Sequence, residues 1–136
     1  MRPQRFQQFA IDAYQAAGMK AEPWSEGTKR PLGVALTLPN GAQLRHAVSG
    51  QSRDGDAYGE AEQPVEGEAP APVPVPDLGR GAEPRQVEAY LAAVLTNTGH
   101  PEILRAYAYG DREQPPKHAG VGVVFHSGAK VYCLFV

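Results

Sequence analysis

Cys133, the only cysteine, is the residue of this chain best suited to act as a nucleophile. A cysteine nucleophile needs an imidazole within hydrogen-bond reach to accept its proton. His126 is expected on the same β-hairpin, but a two-residue turn would place Cys133 opposite Gly122, several residues along the sheet from His126. Because free cysteines are among the most buried residue types, the sequence predicts that Cys133 is a small core residue.

The remaining motifs predict no catalytic residue, no cofactor and no metal. The chain has four histidines: His46, His100, His118 and His126. None of them has the HxH, HxxxH or CxxC spacing that is typical of zinc ligands. Gly120-Val121-Gly122 begins a dinucleotide fingerprint, but the third glycine and the following helix are missing. We therefore expect no enzyme, and an enzyme of an unfamiliar kind is the less favoured alternative.

A few basic and aromatic side chains could form a binding surface. They are Trp24, Lys29, Arg30, Arg45 and Tyr132. Stacking on Trp24 and phosphate contacts from the basic residues would suit a nucleic-acid-binding accessory protein. Residues 49–83, however, contain eight acidic and two basic side chains, a net charge of −6 in a chain of net charge −2. The remaining +4 is modest, and the acidic segment would compete with a phosphate backbone, so nucleic acid stays the second choice.

Two amphipathic helices, each followed by strands, are expected to position these side chains. Apolar residues recur at helical spacing over residues 4–17 and again over 84–97. Gly18 and Gly99 follow these helices, where a left-handed C-cap would lie. The predicted strands span residues 19–24, 32–38, 42–48 and 103–109 and the two arms of a terminal hairpin, 120–136.

Two hairpin sequences are similar enough to indicate an internal pseudo-repeat. They are GVALTLPNGAQLRHAV, residues 33–48, and GVGVVFHSGAKVYCLFV, residues 120–136. With the turn glycines matched, apolar residues fall on apolar residues along both arms. A two-residue turn would put Val121 and Tyr132 on one face and Cys133 on the other, so both faces of the terminal hairpin are expected to be apolar. That pattern is typical of a central strand or of an interface.

The predicted fold is a single α+β domain over residues 1–136. It comprises a first α-β-β-β unit over 1–48, a crossover over 49–83 and a second unit over 84–136. Two helices are expected to cover one face of an antiparallel sheet of about five to six strands. The crossover is acidic, its centre APAPVPVP has the composition of polyproline II, and we expect it to be partly mobile.

A small non-enzymatic adaptor or accessory factor is the function that these features favour. One cysteine, no signal-like apolar segment and apolar runs of only strand length indicate a soluble cytoplasmic protein. Two short helices cannot cover a whole sheet, so a sheet face or edge is left for a partner. The expected partner is another protein or a second copy in a homodimer, with nucleic acid as the weaker alternative and no membrane.

Overall fold

The computed structural model describes all of residues 1–136 and has an α+β fold with two helices and seven strands. The helices are α1 (Pro3–Ala16) and α2 (Pro84–Thr96). The strands are β1 (Lys20–Glu26), β2 (Arg30–Thr37), β3 (Gln43–Ala47), β4 (Ser49–Gln51), β5 (Ile103–Ala108), β6 (Gly120–Phe125) and β7 (Lys130–Leu134). Both helices end where expected, because Gly18 and Gly99 adopt the left-handed conformation with φ of 90° and 67°.

The strands form two antiparallel sheets, with the orders β1-β2-β3 and β4-β7-β6-β5. We expected one sheet of about five to six strands, so the structure differs in both the number of sheets and the number of strands. The additional strand is β4, which pairs with β7 from Ser49 opposite Tyr132 to Gln51 opposite Lys130. Its sequence, Ser-Gly-Gln, has no apolar alternation, and the strand is defined by its backbone pairing with β7. The sequence pattern therefore assigned it to the crossover.

The two sheets meet along β7. Only Val48 separates β3 from β4, so the chain passes directly from the first sheet to the second. An isolated antiparallel bridge joins His46 of β3 to Phe135, just beyond β7. Next to it, the backbone N–H of Val136 donates to the carbonyl of Arg45 over 2.9 Å. The edge strand β3 of the first sheet is therefore held against the chain at the end of β7 in the second.

The turn of the terminal hairpin is one residue longer than expected, and this changes the faces of its strands. The N–H of Phe125 donates to the carbonyl of Ala129 over 3.0 Å, and Gly128 has φ of 92°. The resulting three-residue loop pairs Cys133 with Val121, so its expected position opposite Gly122 is wrong. A one-residue shift moves every side chain of a strand to the other face. Cys133 therefore joins Val121 in the core, and only one face of the hairpin is fully apolar.

One hydrophobic cluster of 24 buried residues connects both helices with both sheets. Helix α1 packs on β1 and β2, and α2 packs on β5 and β6. Phe6 of α1 also meets Phe125 of β6 edge to face, with ring centroids 6.3 Å apart. Both helices thus lie on the side of the strands that carries Val34 and Val123. This side is called the covered side below.

The opposite side of the strands is called the open face. Strand alternation and register assign to it Lys20, Glu22, Trp24, Ala35, Gln43, Arg45, Arg105, Tyr107, Val124, Lys130, Tyr132 and Leu134. The charged members are exposed, whereas the three aromatic side chains are partly buried. This face carries most of the side chains from which a binding surface could be built.

The crossover runs along the ends of the helices and the hairpin turns. Near its start, Asp56 binds Arg2 at the beginning of α1 over 2.9 Å. Farther along, His126 in the β6–β7 turn makes a 2.8 Å hydrogen bond to the carbonyl of Glu68. The side chain of Asn97, at the end of α2, then makes two hydrogen bonds to the backbone of Val73. These anchors lie at helix ends and turns, and the partial mobility expected of the crossover stays a prediction.

Candidate binding surface on the open face

Trp24 and Arg45 form one half of the open face. Trp24 pairs with Gly33 across β1 and β2, and a Cβ atom on that glycine would lie 2.6 Å from the indole ring. The ring therefore lies against the backbone of β2, where only a glycine leaves room for it. The Arg45 guanidinium stands 5.7 Å from the ring centroid, a cation–π distance. One flat aromatic surface is thus topped by an exposed positive charge.

Tyr107, Arg105 and Tyr132 build the other half in a similar way. Tyr107 and Tyr132 flank Gly122, and the Tyr107 ring occupies the space above this glycine. The Arg105 guanidinium lies 4.7 Å from the centroid of the Tyr107 ring. Lys130 precedes Tyr132 by two residues on β7, so both side chains lie on the open face. The second half again combines aromatic rings with positive charge.

Two surface depressions mark these halves. The depression on the first sheet has a volume of about 250 Å³, and Lys20, Glu22 and Arg45 are among its charged lining residues. The depression on the second sheet has a volume of about 460 Å³. It is lined by Arg105, Tyr107, Asp111, Arg112, Glu113, Lys130 and Tyr132. The strand residues of the open face contribute four basic side chains against the single carboxylate of Glu22. The loop after β5 adds Arg112, Asp111 and Glu113, so the face is basic by a net charge of two.

Three of the five residues predicted as a binding surface lie on the open face: Trp24, Arg45 and Tyr132. Lys29 and Arg30 lie apart, at the tip of the β1–β2 hairpin. Both bind the carboxylate of Glu26, at 3.8 Å and 3.0 Å. Their charge is therefore partly neutralised within the hairpin. The structure joins Trp24 to Arg45 and does not bring Lys29 or Arg30 to them.

Arg105, Tyr107 and Lys130 lie on the open face but were not among the residues predicted to form a binding surface. A signal for them exists, because residues two apart on a strand share a face. Arg105 and Tyr107 have that spacing on β5, as Lys130 and Tyr132 have on β7. The spacing alone does not show which face of β5 and β7 the helices leave uncovered, so neither pair was predicted as part of a binding surface.

On the covered side, Tyr14, His46 and Cys133 are completely buried. The His46 Nδ1–H donates to the carbonyl of Ala47 over 3.0 Å, which leaves Nε2 to accept the Tyr14 hydroxyl over 2.9 Å. Burial lowers the pKa of His46 to about 4. It also raises the pKa of the Cys133 thiol, the opposite of what a nucleophilic thiolate needs. These groups stabilise the fold and are out of reach of a ligand.

Two buried carboxylates also have structural partners. Glu88 accepts hydrogen bonds from the backbone N–H groups of Gly110 and Gly120, over 3.0 Å and 2.8 Å, and from Arg85 over 2.8 Å. Glu102 binds the guanidinium of Arg5, which holds the pKa of that carboxyl below its usual value. The carboxylates thereby tie the helices to the strands and loops beside them.

Arg5 also joins the crossover to α1. Its Nε–H donates to Glu62 over 2.6 Å, and this bond is the main reason that the pKa of Glu62 falls to about 2. No group of three histidine, cysteine or carboxylate side chains is arranged to hold a metal ion. Neither helix is long and apolar enough to cross a membrane.

Comparisons of the chain with protein-family models, with curated proteins and with solved structures find no match. The chemistry of the open face is therefore the basis for assigning a function.

Proposed function

We propose that this protein is a non-enzymatic binding module that takes an acidic segment of another protein on its open face. One observation carries the proposal. On the open face two arginines, Arg45 and Arg105, lie on aromatic rings at the surface, whereas the polar side chains of the covered side are engaged in buried hydrogen bonds. Arginine, tyrosine and tryptophan are the residues that most often dominate protein–protein binding energy. The net positive charge of the open face then favours an acidic partner by charge complementarity.

The position of the crossover supports this assignment. Its carboxylates made nucleic-acid binding the weaker expectation, because they were expected to compete for the basic residues. Two of them, Asp56 and Glu62, bind instead to Arg2, which precedes α1, and to Arg5 in its first turn. The basic side chains of the open face consequently stay available to a partner.

We further infer that the two halves of the open face belong to two related α-β-β-β units. Adding 87 to each residue number of β2 and β3 reproduces the pairing of β6 and β7 at all five paired positions, from Gly33–Ala47 onto Gly120–Leu134 to Thr37–Gln43 onto Val124–Lys130. The turns agree too, since Gly41 and Gly128 have φ of 88° and 92°. In this scheme β3 and β4 act as one strand beside β7, and the two sheets act as one six-stranded surface.

The environments of two glycines support the same inference. A Cβ on Gly33 would lie 2.7 Å from the carbonyl oxygen of His46 and 2.6 Å from the Trp24 ring. A Cβ on Gly120 would lie 2.6 Å from the carbonyl oxygen of Cys133 and 2.5 Å from the Tyr109 ring. His46 and Cys133 are themselves related by the shift of 87. The strand pairs are thus related, but their aromatic and basic side chains are not repeated, since the shift of 87 places Tyr132 at the position of Arg45. Two half-sites side by side suit an extended ligand that crosses both.

Single-stranded nucleic acid is the second candidate, and the stacked rings favour it. Bases stack on exposed aromatic side chains next to basic residues, and such binding has little sequence preference. Phosphate contacts would make the affinity fall steeply with added salt. The half-buried state of the rings is less suitable, because base stacking needs a whole ring face to be accessible.

Trp24 is the only tryptophan of the chain, so its fluorescence reports on the open face directly. We suggest titrating the protein with poly-glutamate and, separately, with a 15-residue oligothymidylate at the same salt concentration. The proposal predicts a saturable change with poly-glutamate that the double substitution Arg45→Glu and Arg105→Glu weakens at least tenfold. The matched control Lys29→Glu, at the hairpin tip, should bind like the wild type. Tighter binding of oligothymidylate than of poly-glutamate would support nucleic acid, and no response to either probe would overturn both candidates.

A further inference from the structure

We propose that the segment Glu60–Gly79 of the crossover is a ligand for the open face of a second copy of this chain. The inference rests on the proposed function, since it names the acidic segment that the open face takes. The crossover supplies both features that the open face requires, negative charge and an extended backbone. The two surfaces therefore complement each other between copies.

The centre of the crossover has a restricted, extended backbone. Each residue from 69 to 76 is either a proline or directly precedes one, so each is held in the extended or polyproline II region. The Asn97 side chain fixes Val73 at both polar backbone atoms, with two hydrogen bonds of 2.8 Å. A segment whose backbone is restricted in this way loses less conformational entropy on binding than a flexible one. The crossover is thus prepared for recognition.

The side chains of this segment are displayed outward. Val73 and Val75 are 42% and 45% exposed, although both are apolar. Polyproline II segments are recognised by grooves lined with aromatic rings, and the open face offers Trp24, Tyr107 and Tyr132. Exposed valines between prolines can pack on such rings.

Charges flank the apolar part of the segment. Glu66 and Glu68 precede it and Asp77 follows it, and none of the three forms an ion pair in the structure. On the open face, Arg45 lies beside Trp24 in one half and Arg105 lies beside Tyr107 in the other, with Tyr132 on a strand between the two arginines. An extended segment could therefore place its valines on the rings and its carboxylates on the arginines.

The contact has to form between two copies. The crossover is held by His126 at one turn, by Asn97 at the end of α2 and by Asn40 at the β2–β3 turn. These anchors keep it away from the open face of its own chain. Because the two surfaces differ, each copy could bind one neighbour by its crossover and another by its open face, which builds open chains or rings. The association should therefore grow with protein concentration.

The first test uses a synthetic peptide of residues 60–79 with the wild-type protein. Trp24 fluorescence should change saturably as the peptide is added. The matched control peptide carries Val73→Ser and Val75→Ser, keeps every charge, and should bind at least fivefold more weakly. Equal binding of the two peptides would mean that charge alone is read, which would overturn the role of the proline-rich centre.

The second test measures the mass of the full chain by light scattering over a range of concentrations. The apparent mass should rise with concentration in the wild type and stay at the monomer value in the Arg45→Glu, Arg105→Glu variant. Asn97→Ala, which frees the crossover but leaves the open face intact, should weaken self-association at least threefold while its open face still binds the peptide. A strict monomer at all concentrations would overturn association between copies. If the peptide does not bind while poly-glutamate does, this inference is wrong and the proposed function stands. If neither ligand binds, the inference and the proposed function are both wrong.

Discussion

The two sides of the strands use polar side chains in opposite ways. On the covered side, His46 and Glu88 are completely buried, and each has partners for its polar atoms. On the open face, the guanidinium groups of Arg45 and Arg105 lie on aromatic rings at the protein surface. The covered side loses stability when a partner is removed, because a buried polar group left unpaired is costly. Removing a side chain from the open face should change stability little, because none of its polar groups is left buried without a partner.

The largest loss of stability is expected from Glu88→Ala. This substitution leaves the N–H groups of Gly110 and Gly120 without their acceptor and removes the partner of Arg85. Breaking such a buried charged network costs about 3–5 kcal/mol. Urea denaturation should show this decrease in the free energy of unfolding. Glu113→Ala, on an exposed loop, is the control and should stay within about 0.5 kcal/mol of the wild type.

The protein should lose stability in mild acid because the imidazole of His46 is buried. The pKa of His46 is about 4 in the folded protein against 6.5 for a free side chain, so the unfolded chain takes up a proton first as the pH falls. Stability is therefore greatest above pH 6.5 and decreases toward pH 4. From pH 7 to pH 5 the free energy of unfolding should decrease by about 2 kcal/mol. This pH range lies above the titration of the carboxylates, so the decrease reports on the imidazole.

The pH dependence is checked by urea denaturation at both pH values. His46→Gln should remove most of the difference, although this variant is less stable at pH 7. His118→Gln, at an exposed position, should keep it. A His46→Gln variant with the full pH dependence of the wild type would assign the effect to other groups.

A matched pair of glycine substitutions compares the first α-β-β-β unit with the second. Gly33→Ala would force its Cβ against Trp24 and the carbonyl of His46, and Gly120→Ala would meet Tyr109 and the carbonyl of Cys133 at similar distances. Each should cost about 1–3 kcal/mol by overpacking, and the two costs should be alike. Gly59→Ala, with no atom within 4 Å of the added Cβ, is the control. A large cost for one glycine and none for the other would contradict the proposed relation between the units.

Much of the architecture was accessible from the sequence because local signals agree with one another. Both helices begin with a proline in their first turn and end before a left-handed glycine. Asn40-Gly41 marked the first hairpin correctly. These features depend on a few neighbouring residues, and short-range chemistry determines them.

Features that depend on distant partners were not accessible. The strand β4 exists only because Ser49-Gly50-Gln51 lies beside β7. The loop at Gly128 is one residue longer than the assumed turn, and that single residue reversed the faces of β7. Glu88 has an ordinary position in a helical pattern, and its buried role becomes visible only when Gly110 and Gly120 approach it. The basic open face likewise depends on the pairing of strands that are distant in the sequence, so its residues could not all be grouped in advance.

The smallest effect on stability is expected on the open face. Arg45→Ala removes one cation–π contact at the surface, so the free energy of unfolding should change by no more than about 1 kcal/mol. Arg105→Ala should behave in the same way. Thermal unfolding of both variants, compared with Glu88→Ala, measures the contrast directly. A loss of several kcal/mol from either arginine would assign the open face a structural role.

The most direct test of the account is to map a ligand onto the two sides by NMR. Poly-glutamate should be added to ¹⁵N-labelled protein while the backbone amides and the Trp24 indole N–H are followed. If the open face binds the ligand, the shifts concentrate on the indole and on the strands that carry Arg45, Arg105 and Tyr132, and the amides of α1 and α2 stay unchanged. Shifts that concentrate on the helices or on Lys29 and Arg30 at the hairpin tip, with the indole unmoved, would contradict it.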